Sequence, residues 1–219
     1  MIISIDGPAA SGKSTTARLL ANKLSFKHLN TGMFYRAVTY AFIQQKIFEL
    51  NKESINDFFN KNALYLKGDN LDVLFLNNED ISNYLASDSI NEKIHLISNN
   101  PLIRKKLVSM QRLIVKDHNI VCEGRDIGSV VFPNAEFKFF LVADIESRTL
   151  RRYNEQKKTN HSLLYEDVKQ ALITRDLNDT TRSNSPLIKP LDSIEVDTTD
   201  MTIDMQVDYI YKLIKQGKK

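Results

Sequence analysis

Short apolar runs of strand length alternate with longer segments of helical periodicity along most of the chain. Ile2–Ile5 is the first buried-strand pattern, and a glycine-rich turn separates it from the amphipathic segment Lys13–Leu24. A brief strand near Lys27–Leu29 precedes a helical pattern from Met33 to about Lys46. This alternation is typical of a parallel sheet that is covered by helices on both faces.

The C-terminal half repeats the same alternation, so we predict an α/β protein built on a five-stranded parallel sheet. The predicted elements of this half are strands in NIVCEG, EFKFFLVAD and DSIEVDT, and helices at about Ile145–Gln156, Leu164–Asn178 and Ile203–Lys215.

The middle of the chain has a different pattern. Residues Asn62–Ser82 alternate between apolar and polar positions with period two, and the turn signals KGDN and NNED interrupt them. This pattern predicts a small antiparallel unit, and we interpret roughly residues 60–100 as an insertion.

Composition narrows the class of protein. The 219 residues, of which 42% are apolar and 26% charged, suffice for one domain with an insertion. The net charge of +3, from 30 basic and 27 acidic residues, argues against a nucleic-acid-binding surface. No apolar run reaches the ~20 residues that span a bilayer, and the N-terminus lacks a signal-peptide pattern. We therefore expect a cytoplasmic protein with neither nucleic acid nor membrane as partner.

A single cysteine, Cys122, excludes an intramolecular disulfide and a multi-cysteine zinc site. It lies in the apolar run IVC, which predicts a buried structural thiol rather than a nucleophile.

The segment GPAASGKS, Gly7 to Ser14, matches the phosphate-binding pattern G-x-x-x-x-G-K-[ST] between a strand and a helix. Two glycines let the backbone curl around a phosphate, and the helix that follows adds its positive N-terminal end. Lys13 is expected to reach the β- and γ-phosphates, and the Ser14 hydroxyl to ligate Mg²⁺. The predicted ATP-binding residues are Gly7, Pro8, Ala9, Ala10, Ser11, Gly12, Lys13, Ser14 and Thr15.

The remaining motifs favour a small-molecule kinase among the P-loop proteins. The segment NKES lacks the aspartate of a guanine-reading motif, and RDIG has the wrong spacing for a GTPase switch. A kinase must also hold an acceptor phosphate, for which arginine is well suited. Arg36 in NTGMFYR and Arg125 in EGRDIG each follow a predicted strand, at the sheet edge where ligands of open parallel sheets bind.

Five segments in order resemble the motifs of bacterial cytidylate kinases, a nucleoside monophosphate kinase family of P-loop kinases. They are IDGPAASGKST, NTGMFYRA, NNEDIS, EGRDIGSVVFPNA and RDLNDTTRSNSPL. The resemblance implies a single P-loop kinase domain, residues 1–219, with an antiparallel insertion in its nucleoside-monophosphate-binding region and a helical lid. Its parts would be a core (about 1–30, 101–147 and 183–219), that binding region (about 31–100) and the lid (about 148–182).

The same resemblance assigns roles to individual residues. It places Arg125 on the acceptor phosphate, Asp126 on the cytosine amino edge, Arg175 and Asp179 on the ribose side, and Arg182 on phosphate. On a helix, Arg175, Asp179 and Arg182 would share one face. Lid arginines begin at Arg148. The implied catalytic residues are Lys13, Arg125, Arg151 and Arg182, with Arg152 on ATP. The implied substrate-binding residues are Thr31, Arg36, His95, Arg104, Arg125, Asp126, Arg175, Asp179 and Arg182.

Three positions depart from the family pattern. Asn30 replaces an aspartate beside the acceptor site, and Glu123 replaces the first aspartate of D-G-R-D. His95 stands where the family has a base-contacting serine, and two roles remain open for it: a hydrogen bond to cytosine, or packing against the insertion.

The activity implied by the resemblance is direct in-line transfer from ATP to CMP or dCMP, with Mg²⁺, by a monomer. Such transfer needs no covalent intermediate and no dedicated general base. Alternatives are a kinase for another acceptor (UMP, AMP, shikimate or dephospho-CoA) and a nucleotide sensor without transfer. RNA binding through RTLRRYNEQKK is a weaker alternative, because Glu155 interrupts this basic run.

Overall fold

A computed structural model describes residues 1–158 and 161–217. Residues 159–160, within the predicted lid, and 218–219, within the predicted core, lie outside the described residues. The chain divides into two compact units. The first consists of Met1–Phe26 and Ile120–Lys219, and the second of Lys27–Asn119.

Most elements follow the alternation predicted from the sequence, but three helices between residues 52 and 115 were not predicted. In chain order the strands of the described residues are β1 (Ile2–Asp6), β2 (Lys27–Asn30), β3 (Leu64–Lys67), β4 (Val73–Leu76), β5 (Glu79–Asp80), β6 (Ile120–Gly124), β7 (Phe137–Val142) and β8 (Ile194–Asp197). The α-helices are α1 (Lys13–Leu24), α2 (Gly32–Gln44), α3 (Lys52–Lys61), α4 (Asp88–Asn99), α5 (Pro101–Val115), α6 (Ile145–Gln156), α7 (Tyr165–Thr181) and α8 (Ile203–Lys215).

A parallel sheet of five strands has the order β2-β6-β1-β7-β8. Strand β1 lies at its centre, where Ile3 pairs in register with Val121 of β6 and with Phe137 of β7. The carboxyl ends of β1 and β6 coincide, because Asp6 pairs with Gly124. Loops after these two strands therefore leave the sheet at the same edge, which confirms the predicted α/β fold class.

The core of the first unit lies between one face of the sheet and helices α1 and α8. Ile3 and Ile5 of β1 pack with Leu20 of α1 and Ile210 of α8, and all four side chains are fully buried. Burial of one such side chain stabilises a fold by roughly 1.5–3 kcal/mol. Because side chains alternate along a strand, Asp6 belongs to the opposite face of β1.

The single cysteine, Cys122, is fully buried on β6, as the apolar run around it predicts. Burial raises the pKa of its thiol well above the ordinary value. The side chain is therefore a small core residue and not a reactive thiolate.

The second unit contains the predicted antiparallel sheet, with strand order β3-β4-β5. Leu64 pairs with Leu76, and Tyr65 pairs with Phe75 so that their rings stack at 5.5 Å. The insertion is partly helical, because α4 lies within the range 60–100 that the sequence assigns to it.

Local capping explains where several helices begin. The Asp144 carboxylate accepts from the Ser147 N–H at 2.6 Å before α6, and the Thr202 hydroxyl accepts from the Met205 N–H at 3.2 Å before α8. No α-helix among residues 1–158 and 161–217 is long and apolar enough to cross a bilayer.

Candidate active site

The phosphate-binding turn between β1 and α1 depends on its two glycines. Gly7 and Gly12 have φ angles of 151° and 89°, which side chains rarely adopt. A Cβ atom at Gly7 would lie 2.2 Å from the Leu141 carbonyl oxygen, and one at Gly12 would lie 2.8 Å from Gln206 Oε1. The turn therefore keeps its shape only with glycine at both positions.

Lys13, the first residue of α1, is buried within this turn. Its Nζ donates a hydrogen bond to the Pro8 carbonyl at 3.0 Å. Burial lowers the pKa of Lys13 well below its usual value, and the charge of Arg125 lowers it further. Since both effects penalise the ammonium, a phosphate anion beside it would restore the charged form.

The Ser14 hydroxyl donates to Glu123 Oε2 at 2.8 Å, at the edge where β6 ends. Glu123 is buried, with 2% exposure. A hydroxyl and a carboxylate are oxygen donors of the kind that Mg²⁺ takes, so this pair fits the ion implied for the site. The sequence marks Glu123 only as a departure from the family pattern, because its partner is distant in the chain.

Buried and partly buried charges of both signs meet after β6 and at the end of α7. Arg125 Nε donates to Asp179 Oδ2 at 2.7 Å. Arg182 lies 3.7 Å from Asp179 Oδ1 and 3.9 Å from Asp126 Oδ1. Burial opposes ionisation of Asp179, but Arg125, Arg175 and Arg182 prevail and hold its pKa below the ordinary value. We call Arg125, Asp126, Asp179 and Arg182 the arginine–aspartate cluster.

The segment that begins at Arg175 is a helix end running into a loop, and the helical face of Arg175 and Asp179 does not extend to Arg182. Helix α7 ends at Thr181, and Arg182 has extended backbone angles (φ −61°, ψ 140°). The Thr181 hydroxyl donates to the Leu177 carbonyl at 2.7 Å, a local bond that competes with continuation of the helix. Arg182 still reaches Asp179 because the chain folds back, with Arg182 Nε on the Ser185 carbonyl at 2.7 Å.

Asp6, the last residue of β1, holds the turn that follows Asp126 in the chain. Its two carboxylate oxygens accept from the N–H groups of Ile127 and Gly128 at 2.8 and 2.7 Å. These residues begin a short π-helical turn, Ile127–Val131. Burial is the main reason why the pKa of Asp6 rises to about 7. No local sequence pattern identifies this role of Asp6, since its partners are 121 and 122 positions away.

The raised pKa of Asp6 predicts a specific pH dependence of stability. The folded protein holds the Asp6 proton between about pH 4 and pH 7, whereas the unfolded chain releases it. The free energy of unfolding should therefore fall as the pH rises through this range, by at most about 1.4 kcal/mol per unit. Asp6→Asn removes this contribution, so urea denaturation should show its stability relative to wild type increasing from pH 4 to pH 7.

Asp208→Asn is the matched control for that measurement. Lys23 lowers the pKa of the exposed Asp208, so this substitution should show a weak trend of opposite sign. A pH-independent difference between Asp6→Asn and wild type would show that Asp6 does not titrate in this range.

The arginines of α6 differ in their contacts. Arg151 donates to Thr198 Oγ1 at 3.2 Å and to the Thr199 carbonyl at 3.3 Å. Arg152 pairs with Glu155 at 3.0 Å on the exposed side of the helix. Arg148 is buried and donates to the Ala9 carbonyl of the phosphate-binding turn at 3.3 Å. Of the three, Arg148 therefore contacts the phosphate-binding turn directly.

Four residues predicted to bind the acceptor lie in the second unit. Thr31 is buried at the residue before α2, and Arg36 follows in this helix. The Arg36 guanidinium donates to the Leu85 carbonyl at 2.8 Å and to Asn91 Oδ1 at 2.9 Å. These contacts hold its fork in one orientation.

Arg104 and His95 complete the predicted acceptor residues. Arg104 is buried, donates to the Ser98 carbonyl at 3.0 Å and lies 5.2 Å from the centre of the Tyr35 ring. His95 is exposed on α4, so it is not part of the core of the second unit.

The structure thus brings together Lys13, Ser14 and the arginine–aspartate cluster within the first unit. This is the arrangement of a P-loop kinase, an enzyme that moves a phosphoryl group from a nucleoside triphosphate to an acceptor.

Comparison with known proteins narrows the class. The chain belongs to the cytidylate kinase family, because the family model described as Cytidylate kinase matches residues 3–216. The resemblance stated from the motifs is confirmed.

Individual relatives are similar over almost their full lengths. A protein named cytidylate kinase from Chloroherpeton thalassium is 41% identical over 220 residues, covering 97% of this chain and 92% of that protein. One of the same name from Fusobacterium nucleatum is 41% identical over 218 residues, covering 100% and 99%. A crystal structure of an uncharacterized protein from Eubacterium ventriosum superposes with a TM-score of 0.50 at 12% identity, covering 98% of each chain, and indicates the fold alone.

Proposed function

We propose that this protein transfers the γ-phosphoryl group of ATP to CMP or dCMP, with Mg²⁺, and releases ADP and CDP or dCDP. A single observation carries the proposal most strongly. The charges of Arg125, Arg175 and Asp179 all act on the buried Lys13 amine. The arginines assigned to the acceptor are therefore close enough to the phosphate-binding turn to influence the pKa of Lys13. A cytoplasmic location and a monomeric state are part of the proposal, as the family resemblance implies.

The donor side of the reaction belongs to the phosphate-binding turn. Its backbone N–H groups and the N-terminal end of α1 favour a polyanion. In this proposal Lys13 holds the β- and γ-phosphates, and Ser14, whose hydroxyl donates to Glu123, would hold Mg²⁺. The ion would neutralise charge on the transferring group when it is bound.

The acceptor side needs a planar guanidinium group for the phosphate of CMP and a hydrogen-bond acceptor for its base. Arg125 and Arg182 offer guanidinium groups suited to a phosphate, and Asp179 holds them within one ion-paired cluster. Asp126 offers a carboxylate that accepts from the exocyclic amine of cytosine. The CMP phosphate is an anionic nucleophile near neutral pH, so the protein's task is to position it in line with ATP.

A panel of acceptors tests the proposal directly. ADP release is measured with ATP, Mg²⁺ and CMP, dCMP, UMP, AMP, shikimate or dephospho-CoA in turn. We expect CMP and dCMP to give the highest kcat/KM. Turnover that favours another acceptor would replace the substrate assignment, and ATP binding without transfer to any acceptor would favour a nucleotide sensor.

Asp126→Asn should weaken the binding of CMP far more than the binding of ATP. The amide offers only a neutral acceptor in place of the carboxylate, and loss of the charge-assisted hydrogen bond corresponds to a KM for CMP at least about tenfold higher. The KM for ATP should stay within about twofold. Asp192→Asn, which alters an exposed carboxylate paired with Lys138, is the control. Equal losses for both nucleotides would make the role of Asp126 structural.

A further inference from the structure

We propose that Arg148 and Asp176 are positioning residues that fix α6 and α7 to Ala9 of the phosphate-binding turn. Through this connection they set the orientation of Arg175 and Asp179 relative to the transferring phosphate. The inference rests on the proposed kinase activity and adds residues that do not themselves touch a nucleotide.

Hydrogen bonds connect both helices to both backbone polar groups of Ala9. The Arg148 guanidinium donates to the Ala9 carbonyl at 3.3 Å, and its other contacts are the Asp176 carboxylate and the Ala143 carbonyl, the latter at 3.0 Å. The Ala9 N–H donates a hydrogen bond to Asp176 Oδ1 at 3.4 Å. Since the N–H and the C=O of one residue are both engaged, the turn is fixed in direction as well as in position.

Apolar contacts reinforce the same connection. The Ala9 side chain is buried in a small cluster with Val168 and Leu172 of α7, and Ile145 of α6 packs against this cluster. Ala9 therefore packs the phosphate-binding turn against both helices. A rotation of α7 would disturb its packing and its hydrogen bonds together.

The position of Asp176 links the connection to the chemistry. It follows Arg175 directly and lies three residues, about one helical turn, before Asp179. Because a helix moves as a unit over so short a distance, holding Asp176 also holds these two neighbours. The side chains of Arg148 and Asp176 are 9% and 20% exposed, so solvent screens their ion pair only weakly.

A second ion pair between the same helices provides a matched control. Lys169 of α7 pairs with Glu146 of α6, and the Tyr165 hydroxyl also donates to Glu146 Oε2, at 3.1 Å. Glu146 is 59% exposed, and no hydrogen bond of this group within the described residues reaches the phosphate-binding turn. It joins α6 to α7 without Ala9, whereas the Arg148–Asp176 pair joins both to Ala9.

The experiment compares two double-mutant cycles in the full-length protein. One cycle uses Arg148→Ala and Asp176→Ala, and the other uses Glu146→Ala and Lys169→Ala. Steady-state kcat and both KM values are measured below the unfolding midpoint of each variant. We expect each single change at Arg148 or Asp176 to lower kcat at least about tenfold. The kcat of the double variant should be no lower than that of the less active single variant. The control cycle should leave kcat within about twofold of wild type.

Conservative variants keep the test decisive if the alanine variants fail to fold. Arg148→Lys keeps the charge but loses the fork, and Asp176→Asn keeps the shape but loses the charge. Both should lower kcat while the thermal midpoint falls by no more than a few degrees. Folded variants with kcat within about twofold of wild type would reduce the pair to a purely structural role. An equal loss of kcat in the control cycle would attribute the effect to general helix packing and would overturn the inference.

Titration calorimetry with a non-hydrolysable ATP analogue separates this inference from the proposed function. If wild type binds the analogue but phosphorylates no acceptor, the proposed function fails, and the pair is then judged by affinity alone. The analogue should bind at least about fivefold more weakly to Asp176→Asn than to wild type, and equally to Glu146→Ala and wild type. Unchanged binding to Asp176→Asn in that case would overturn the inference as well.

Discussion

Replacing Lys13 with alanine should lower kcat at least about 100-fold while the fold remains intact. The amine sits inside the phosphate-binding turn, and burial keeps the pKa of Lys13 depressed until an anion is beside it. Under the proposed function the Lys13 amine stabilises charge on the transferring phosphoryl group, and loss of such an interaction is large enough to explain this decrease in kcat. Coupled measurement of ADP release at saturating ATP and CMP gives the value, and circular dichroism checks the fold.

Lys23→Ala provides the control on the same helix. Lys23 is exposed and pairs with Asp208 at 2.5 Å, away from the turn. Its replacement should leave kcat within about twofold of wild type. Near-normal turnover in Lys13→Ala would remove Lys13 from the catalytic residues.

Arg182→Ala should also lower kcat by at least about two orders of magnitude. Its guanidinium lies within 4 Å of the carboxylates of Asp179 and Asp126, and its own side chain is 4% exposed. Without it, the site loses a fork for a phosphate and keeps two buried carboxylates with less compensation. The assay must therefore run well below the melting temperature of the variant, measured under the same conditions.

Two further variants separate the charge of Arg182 from its shape. Arg182→Lys keeps the charge but has no planar fork, so it should recover only part of the lost activity. Lys189→Ala removes an exposed cation, paired with Glu195 at 3.0 Å, from the same segment and should be silent. Full activity in Arg182→Ala would exclude Arg182 from the transfer step.

Local elements of this fold were predictable because their signals are local. The helices α1, α6 and α8 have the bounds read from the sequence, since apolar periodicity marks all three and a side-chain cap marks the start of α6 and of α8. The period-two alternation of Asn62–Ser82 likewise gave the antiparallel sheet. Helix α7 runs beyond Asn178 to Thr181, in a polar stretch where composition gives no clear stop.

The contacts that organise the site were not predictable in the same way. Asp6 holds Ile127 and Gly128, Ser14 holds Glu123, and Asp176 meets Ala9, and each pair is separated by more than 100 residues. No periodicity or spacing reports such neighbours. A resemblance supplies roles for residues that face a nucleotide, whereas these supporting contacts follow only from the folded backbone.

The central place of β1 in the sheet governs the order in which the chain can fold during its synthesis. Both neighbours of β1 lie far along the chain, with Ile2 opposite Ile120 and Ile3 opposite Phe137. During synthesis β1 therefore stays unpaired until β6 has emerged, because Ile2 and its partner Ile120 are 118 positions apart. Residues 27–119 form a compact unit that is synthesised in the interval. Since closing so long a loop precedes any gain from the sheet, β1 pairing is expected to be a late and slow event in folding.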